Sequence, residues 1–426
     1  MNHMKRRKLF IFILISVLWS VSSLWSQQVF DGRAAGMAFT NSALARGLGS
    51  LGGNPALLAL PVKFKLEINL FTLNAAISNN SFNKSQYDQY FSSGAFLTKE
   101  DKQDILTSIP GDVLKGMVYG KVNLLSFYTR NLSLFLIGEG SGYLSIPKSV
   151  VDLLLFGNPV EKERFDLNGL DASGWSGVSA GVSVGLPVYQ SEDGLVKFVS
   201  GGVTLKYLSG LGLVEVLNAG GEIRNAPEFI AGNGILEVRS ARGGSGLGMD
   251  VGTYVEFAQK FKAGLTLKNL FGAIRWRKET EKHLLNFSTD SLSLPDRIRQ
   301  EEFVNSDTTF SIGSFTTRLP VSLDLAIGYT FNPFILLSAE IEQGLNRSMG
   351  SRKSTRMGIG VEVNYLPMLP LRSGLAWSGD TGIALAIGAG IKLPFFIFDI
   401  GYVSHRSFFG NNGKGGQLAI TSRLRF

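Results

Sequence analysis

Gln417-Leu418-Ala419-Ile420-Thr421-Ser422-Arg423-Leu424-Arg425-Phe426 closes the chain, and its reading decides the fold. Leu418, Ile420, Leu424 and Phe426 fall on every second position, with Ala419, Thr421, Arg423 and Arg425 between them. Successive strand side chains point to opposite sides, so this segment reads as a strand with one apolar and one polar face. No later segment remains to cover the apolar face. A transmembrane antiparallel β-barrel turns such a face to lipid and its arginines to the lumen. The expectation is an all-β protein in the outer membrane, with Phe426 as the C-terminal signal for the barrel-assembly machinery.

The other end agrees. Lys5, Arg6, Arg7 and Lys8 precede an apolar run from Leu9 to Trp19, and Ser20, Ser22, Ser23 and Ser26 follow. This order reads as a Sec signal peptide over residues 1–26. No second apolar run is long enough for a membrane helix, which argues against a polytopic helical protein. Removing those four basic residues from 42 leaves a net charge of about +4 against 34 acidic ones, with no basic block that points to nucleic acid. The absence of cysteine removes thiol catalysis and zinc-thiolate sites. Glycine is abundant at 51 residues, which suits lumen positions where a wall bends or receives a plug.

Clean alternation recurs upstream. Val321, Leu323, Leu325, Ile327, Tyr329 and Phe331 share one face, and Ser322, Asp324, Ala326, Gly328 and Thr330 the other. Ile383 to Leu393, Met357 to Tyr365 and Val178 to Leu186 repeat the pattern. Runs of about ten residues match tilted membrane-crossing strands. Short links at Pro394, Leu366-Pro367-Met368, Asn332-Pro333, Gln259-Lys260, Gln190 to Asp193 and Asn131 alternate with longer ones. The longer links span Ala75 to Met117, Leu144 to Ala172, Ser209 to Ser245, Ser288 to Thr316, Gly344 to Ser354 and His405 to Lys414. That asymmetry implies about fourteen strands with both barrel ends in the periplasm. Tyr207, Phe257, Tyr329, Phe331, Tyr365, Trp377 and Tyr402 sit where aromatic girdles belong. Thr98-Lys99-Glu100-Asp101 reads as the capped start of a short loop helix.

Residues 27–61 are too irregular for a strand and too rich in small residues for a core of their own. They contain Arg33-Ala34-Ala35-Gly36-Met37, then Ala43-Leu44-Ala45, then Asn54-Pro55-Ala56-Leu57-Leu58. This order resembles the N-terminal hatch of the FadL-type long-chain fatty-acid transporter superfamily, and of relatives in secretion-associated outer-membrane complexes. Ala38-Phe39 after Gly36-Met37, and Leu57 after Asn54-Pro55-Ala56, depart from the usual pattern and mark a divergent branch. The resemblance implies a barrel over 62–426 closed by a plug, with Gly36, Met37, Asn54, Pro55 and Ala56 as plug residues. It also implies a lateral opening at a kink in the third strand, here at Gly138, Gly140 and Gly142.

Catalytic motifs have little material. His283 and His405, the two histidines left after signal removal, lie in no metal-binding pattern, so no metal or other cofactor is expected. Gly177-Val178-Ser179-Ala180-Gly181 matches a nucleophile elbow in letters, but it lies inside an alternating strand and not at a strand-to-helix turn. Gly47-Leu48-Gly49-Ser50-Leu51-Gly52 matches a dinucleotide fingerprint without the strand that should precede it. The lumen-face charges Asp250, Glu256, Asp324, Glu340, Glu342, Glu362, Lys392, Asp399, Arg423 and Arg425 are mixed in sign and read as a salt-bridged interior. The expected function is passive transport of hydrophobic small molecules such as long-chain fatty acids, with outer-membrane lipid around the barrel and no catalysis. The alternative is a non-transporting scaffold that binds proteins of a secretion or surface-attachment complex.

Overall fold

The computed structural model describes residues 30–94, 96–157, 164–225, 229–293, 304–349, 353–379, 382–407 and 412–426. The expected signal peptide lies outside them, as do residues 27–29 of the expected plug. The strands are β1 (Leu66–Asn79), β2 (Val113–Thr129), β3 (Leu132–Pro147), β4 (Arg164–Asp166), β5 (Asp171–Gln190), β6 (Val196–Asn225), β7 (Phe229–Phe257), β8 (Phe261–Ser293), β9 (Val304–Ser311), β10 (Phe315–Arg318), β11 (Ser322–Asn332), β12 (Ile335–Gly344), β13 (Thr355–Val363), β14 (Leu371–Ser378), β15 (Gly382–Lys392), β16 (Phe396–His405) and β17 (Gly415–Arg425). Helices α1 (Gly32–Gly36), α2 (Lys84–Tyr87), α3 (Lys99–Thr107) and α4 (Lys148–Phe156) complete the regular elements used below.

Fourteen strands close an antiparallel barrel. Three strands stand outside the ring. β4 pairs with β6 alone, and β9 and β10 extend along β8. β1 joins the ends by pairing with both β2 and β17, with Ile68 opposite Leu424 and Phe127. The backbone N–H groups of Lys65 and Leu66 donate to the Phe426 carbonyl at 2.6 and 3.0 Å, so the terminal residue is part of the seam.

The strand period sorts the residues as the sequence implies. Leu323, Leu325 and Ile327 of β11 are exposed on the outer surface while Asp324 and Ala326 are buried. In β14, Leu371, Leu375 and Trp377 face out and Arg372 and Ala376 face in. Such an outer surface is stable in hydrocarbon, because transfer from water is worth roughly 25 cal/mol per Å2 of apolar area. Charged residues such as Asp324 and Arg372 stay inside, and the antiparallel ladders satisfy the backbone groups of the paired wall residues. Aromatic rings collect at the short-turn end, where Phe257 stacks on Phe261 at 5.5 Å and Phe334 on Tyr365 at 5.2 Å.

Two of the expected long loops are largely strand. β6, β7 and β8 have 30, 29 and 33 residues and run on through the segment expected as a loop from Ser209 to Ser245. At about 3.3 Å per residue each is roughly 100 Å long, far more than a bilayer requires. The raised portion escapes a period-two reading because bulges at Val216/Asn218, Ile230/Gly232 and Ser240/Arg242 reset the alternation. The region from Ser288 to Thr316 likewise holds β9 and β10. Other loops carry helices: Thr98 caps α3 in a reciprocal pair with Asp101, as its sequence predicts. α3 and α4 share a small core of Phe82, Tyr90, Ile105, Leu106, Ile109 and Val151.

Candidate functional site

The N-terminal segment fills the barrel on the short-turn side. Asp31 starts α1 by accepting from the Ala34 N–H at 2.7 Å, and Gly32 N–H donates to Thr421 on β17 at 3.0 Å. α1 lies directly on β15 and β16. A Cβ on Gly36 would stand 2.9 Å from the Gly388 Cα, and one on Gly401 would stand 2.4 Å from the Gly32 carbonyl oxygen and the Gly36 nitrogen. The chain then turns at Met37, which is fully buried and whose backbone meets Gly374. Side chains are absent from the wall here because backbone occupies their space.

Asn54, Pro55 and Ala56 seat on the opposite wall. The Asn54 carboxamide accepts from the Ala56 N–H at 3.0 Å and donates to the Thr253 carbonyl at 2.8 Å. That geometry turns the chain into the short 3-10 helix Pro55–Ala59, where proline has no N–H to leave unsatisfied. Ser200 donates to the Ala56 carbonyl at 2.8 Å, and a Cβ on Gly202 would collide with Pro55 and Ala56. Gly36, Met37, Asn54, Pro55 and Ala56 are therefore all in the lumen, on two facing walls.

Charge holds the segment between these seats. Arg33 contacts Glu362 at 2.7 and 3.2 Å, and Glu362 also receives Arg372 at 2.6 Å. Arg372 continues to Asp399 at 2.6 Å. Arg423 pairs with Asp31 at 2.8 Å, and Arg425 with Glu67 at 2.9 Å. Ser42 bonds to Glu340 at 2.9 Å, and Arg356 donates to the Ala38 and Phe39 carbonyls at 2.9 and 3.0 Å. Higher in the lumen, Lys206 pairs with Asp250 at 2.7 Å and Lys268 with Asp324 at 2.6 Å. The sequence picks out Glu362, Asp399, Arg423 and Arg425 by parity but assigns no partner to Arg33, Glu67, Arg356 or Arg372. Arg356 and Arg372 continue the polar faces of their strands, and that parity is the signal that could have found them.

A second closure lies toward the long-loop side. Trp175, Leu208, Leu213, Ala241, Ile274, Trp276 and Leu319 project inward, and Met349 from the β12–β13 connection joins them. Arg347 in the same connection reaches Asp171 and the Tyr143 hydroxyl on the facing wall. Beside this bridge is a polar cavity of about 450 Å3 lined by Tyr143, Asp171, Glu215, Asn218 and Arg347.

The β3 ladder is continuous at Gly138, Gly140 and Gly142. β3 is paired on both sides at each: Gly138 with Val122 and Val178, Gly140 with Gly120 and Ser176, Gly142 with Val118 and Gly174. The β3–β5 register is unbroken from Leu132 to Ser145, so the wall is closed in this conformation. A bulge needs an unpaired residue, and the nearest ones lie in β2 between Asn123 and Leu125 and opposite Ser176/Gly177 in β6. The lumen side of β3 is taken by Glu139, Ser141 and Tyr143, which leaves the three glycines on the lipid side. There Gly140, with Gly120, Ser176 and Gly212, lines a groove; the cavity at this place is about 660 Å3, and Ser141, Tyr143 and Trp175 reach it as well.

The rejected motifs find structural places. Ser179 is buried in β5 with its hydroxyl 3.4 Å from the Ile137 carbonyl, far from any strand-to-helix turn. Gly47–Ser50 is a 3-10 turn whose Leu48 N–H donates to Glu67 at 2.7 Å. Among the described residues no group of His, Cys, Asp and Glu is arranged to hold a metal ion.

This geometry, a fourteen-stranded wall with an N-terminal segment in its lumen, is shared with solved structures. The Ralstonia pickettii toluene transporter TbuX superposes with a TM-score of 0.53 at 12% identity, over 94% of this chain and 99% of that one. The fold is FadL-like. The Pseudomonas putida toluene transporter TodX matches at 0.53 and 11% identity over 94% and 99% of the two chains. A Pseudomonas aeruginosa FadL homologue matches at 0.52 and 13% over 93% and 98%. Residues 55–231 match the model of a family of unknown function, DUF5723. No curated protein matches the sequence.

Proposed function

We propose that this FadL-like barrel is an outer-membrane transport protein that passes hydrophobic small molecules, long-chain fatty acids among them, by passive diffusion. The carrying observation is the way the lumen is closed. The segment from Asp31 to Leu60 is held by side-chain clamps and by backbone contact with glycines, with no residue of it inserted in the wall ladder. It can rearrange while every strand pair stays intact. The solved neighbours named as toluene transporters support a hydrophobic cargo. Release toward lipid would require the β3 ladder to part beside the glycine groove.

The test is flux through the refolded mature protein in proteoliposomes, comparing a labelled long-chain fatty acid with a hydrophilic sugar of similar size. Fatty-acid flux alone is the expected result. Cysteines at Gly138, Gly140 and Gly142 should then react with a lipid-phase probe faster during flux, and silence at all three would remove the lateral route. A second reading, a partner-binding scaffold of a secretion or surface-attachment complex, is favoured by the raised sheet of β6, β7 and β8. Absence of flux from a demonstrably folded barrel would move the assignment there.

A further inference from the structure

Above the ring of the barrel, five strands continue as an open sheet in the order β4–β6–β7–β8–β9. Its two edges are treated differently. β4 is three residues long, its Phe165 is fully buried, and Arg164 is tied to Glu222 at 2.8 Å. The following Leu167 and Asn168 bond to Gly221 and end the edge. β10, below β9, is covered by the β12–β13 connection, where Asn346 donates to the Leu319 carbonyl at 3.0 Å and Ser348 to that of Arg318.

Among the described residues β9 has no such cover. It pairs with Ser288 to Glu281 of β8 over eight residues without a register shift, and among the described residues its other edge meets no strand. Edge strands are ordinarily protected by lysine, proline, a bulge or short length. Val304-Asn305-Ser306-Asp307-Thr308-Thr309-Phe310-Ser311 has no proline or basic residue, and Asp307 is its single charge. Ser306 to Ser311 are exposed.

We propose that the free edge of β9 receives an extended segment of a second polypeptide as a sixth strand of the raised sheet. Main-chain hydrogen bonds supply the affinity in this mode of recognition, and alternate side chains supply the selectivity. A neutral, β-branched segment with one lysine or arginine opposite Asp307 fits the edge. A second copy of this chain in the same membrane does not. Two such copies are related by an axis along the membrane normal, so their β9 strands run in the same sense. A parallel ladder staggers its donors and acceptors and cannot obey that two-fold symmetry. This inference does not depend on transport, and failure of the flux experiment leaves it standing.

The test uses the full mature protein in bilayers and, as probe, a synthetic octapeptide of threonine and valine with a single lysine placed to lie opposite Asp307. Backbone groups of neighbouring strand residues point to opposite edges, so of Thr308→Pro and Thr309→Pro one removes an outward donor and the other a donor to β8. The peptide should slow hydrogen exchange at alternate β9 amides. The outward proline should weaken peptide binding more than tenfold while Glu281 to Ser288 stay protected from exchange; the other should expose them. Three results would overturn the proposal: equal binding by the wild type and both variants, complete protection of β9 without peptide, or a β9-dependent dimer in the bilayer.

Discussion

The wall from β11 to β17 and the wall from β2 to β8 enclose one lumen by different means. In the first, strands have 8 to 11 residues, and large apolar side chains alternate with inward small or charged ones. In the second, leaving aside the short β4, strands have 16 to 33 residues and bulges interrupt the ladders. Glycine marks both, with opposite meaning. Gly374, Gly388 and Gly401 face inward and admit the backbone of Gly32 to Ala38. Gly120, Gly138 and Gly140 face outward, and a Cβ on Gly120 would meet nothing within 4 Å. An inward glycine is space already filled by the plug, whereas an outward glycine is contact withheld from lipid. Composition is blind to that distinction, and one residue of parity decides it.

Glu362→Gln should give the largest effect. It leaves Arg33 and Arg372 short of their shared carboxylate, and breaking a buried pair costs about 3–5 kcal/mol. Cleavage of the N-terminal segment by added protease should accelerate accordingly, with the barrel still intact on a gel. Lysine on the lipid face separates the two walls more directly. Ile387→Lys, on β15, should cost about 2–4 kcal/mol in a denaturant titration, whereas Gly120→Lys, nearer the long-loop rim, should cost roughly 0–1 kcal/mol. Equal penalties would mean that the glycine groove lies deeper in hydrocarbon than this geometry implies.

Gly401→Val puts side-chain atoms where the Gly32 carbonyl now lies, and overpacking of this kind costs about 1–3 kcal/mol. Loss of plug protection without loss of the β15–β16 ladder is the expected outcome; an unchanged plug would break the account of inward glycines. The smallest effect concerns the loop helix α3. Hydrogen bonds from the Thr98 backbone and hydroxyl hold the Asp101 carboxyl below the ordinary carboxylate value. A group lowered on folding contributes its stability in full above its unfolded value and loses it as pH falls through the lowered folded value. The Thr98 amide resonance should therefore titrate below the usual Asp range, and Asp101→Asn should abolish that titration.

How far the sequence could be read depended on the region. The strands from Val321 onward are legible because lipid demands large apolar residues on one face and the lumen tolerates small or charged ones on the other. The raised parts of β6, β7 and β8 carry no such demand. They extend past the length that a bilayer requires and bulges reset their alternation, so their residues lose the simple period and read as loop. The plug was legible as a segment through Arg33, Gly36, Met37 and Asn54-Pro55-Ala56, because turns and close packing restrict residue type locally. Its partners were not, since Glu362 and Arg372 lie more than 300 positions from Arg33 and no local rule pairs them. The three glycines of β3 were legible as a glycine face, but their closed ladder was not.

The sequence by itself determined that this chain forms a membrane-crossing barrel with a separate N-terminal segment, because the period of two and the distribution of turns are local properties. Tertiary structure alone decided which glycines receive that segment, which carboxylate clamps Arg33, and that β3 stays paired on both sides. Those outcomes depend on ring closure, which brings β1 against β17 and sets distant side chains across one lumen. Only after closure does each lumen position acquire a neighbour.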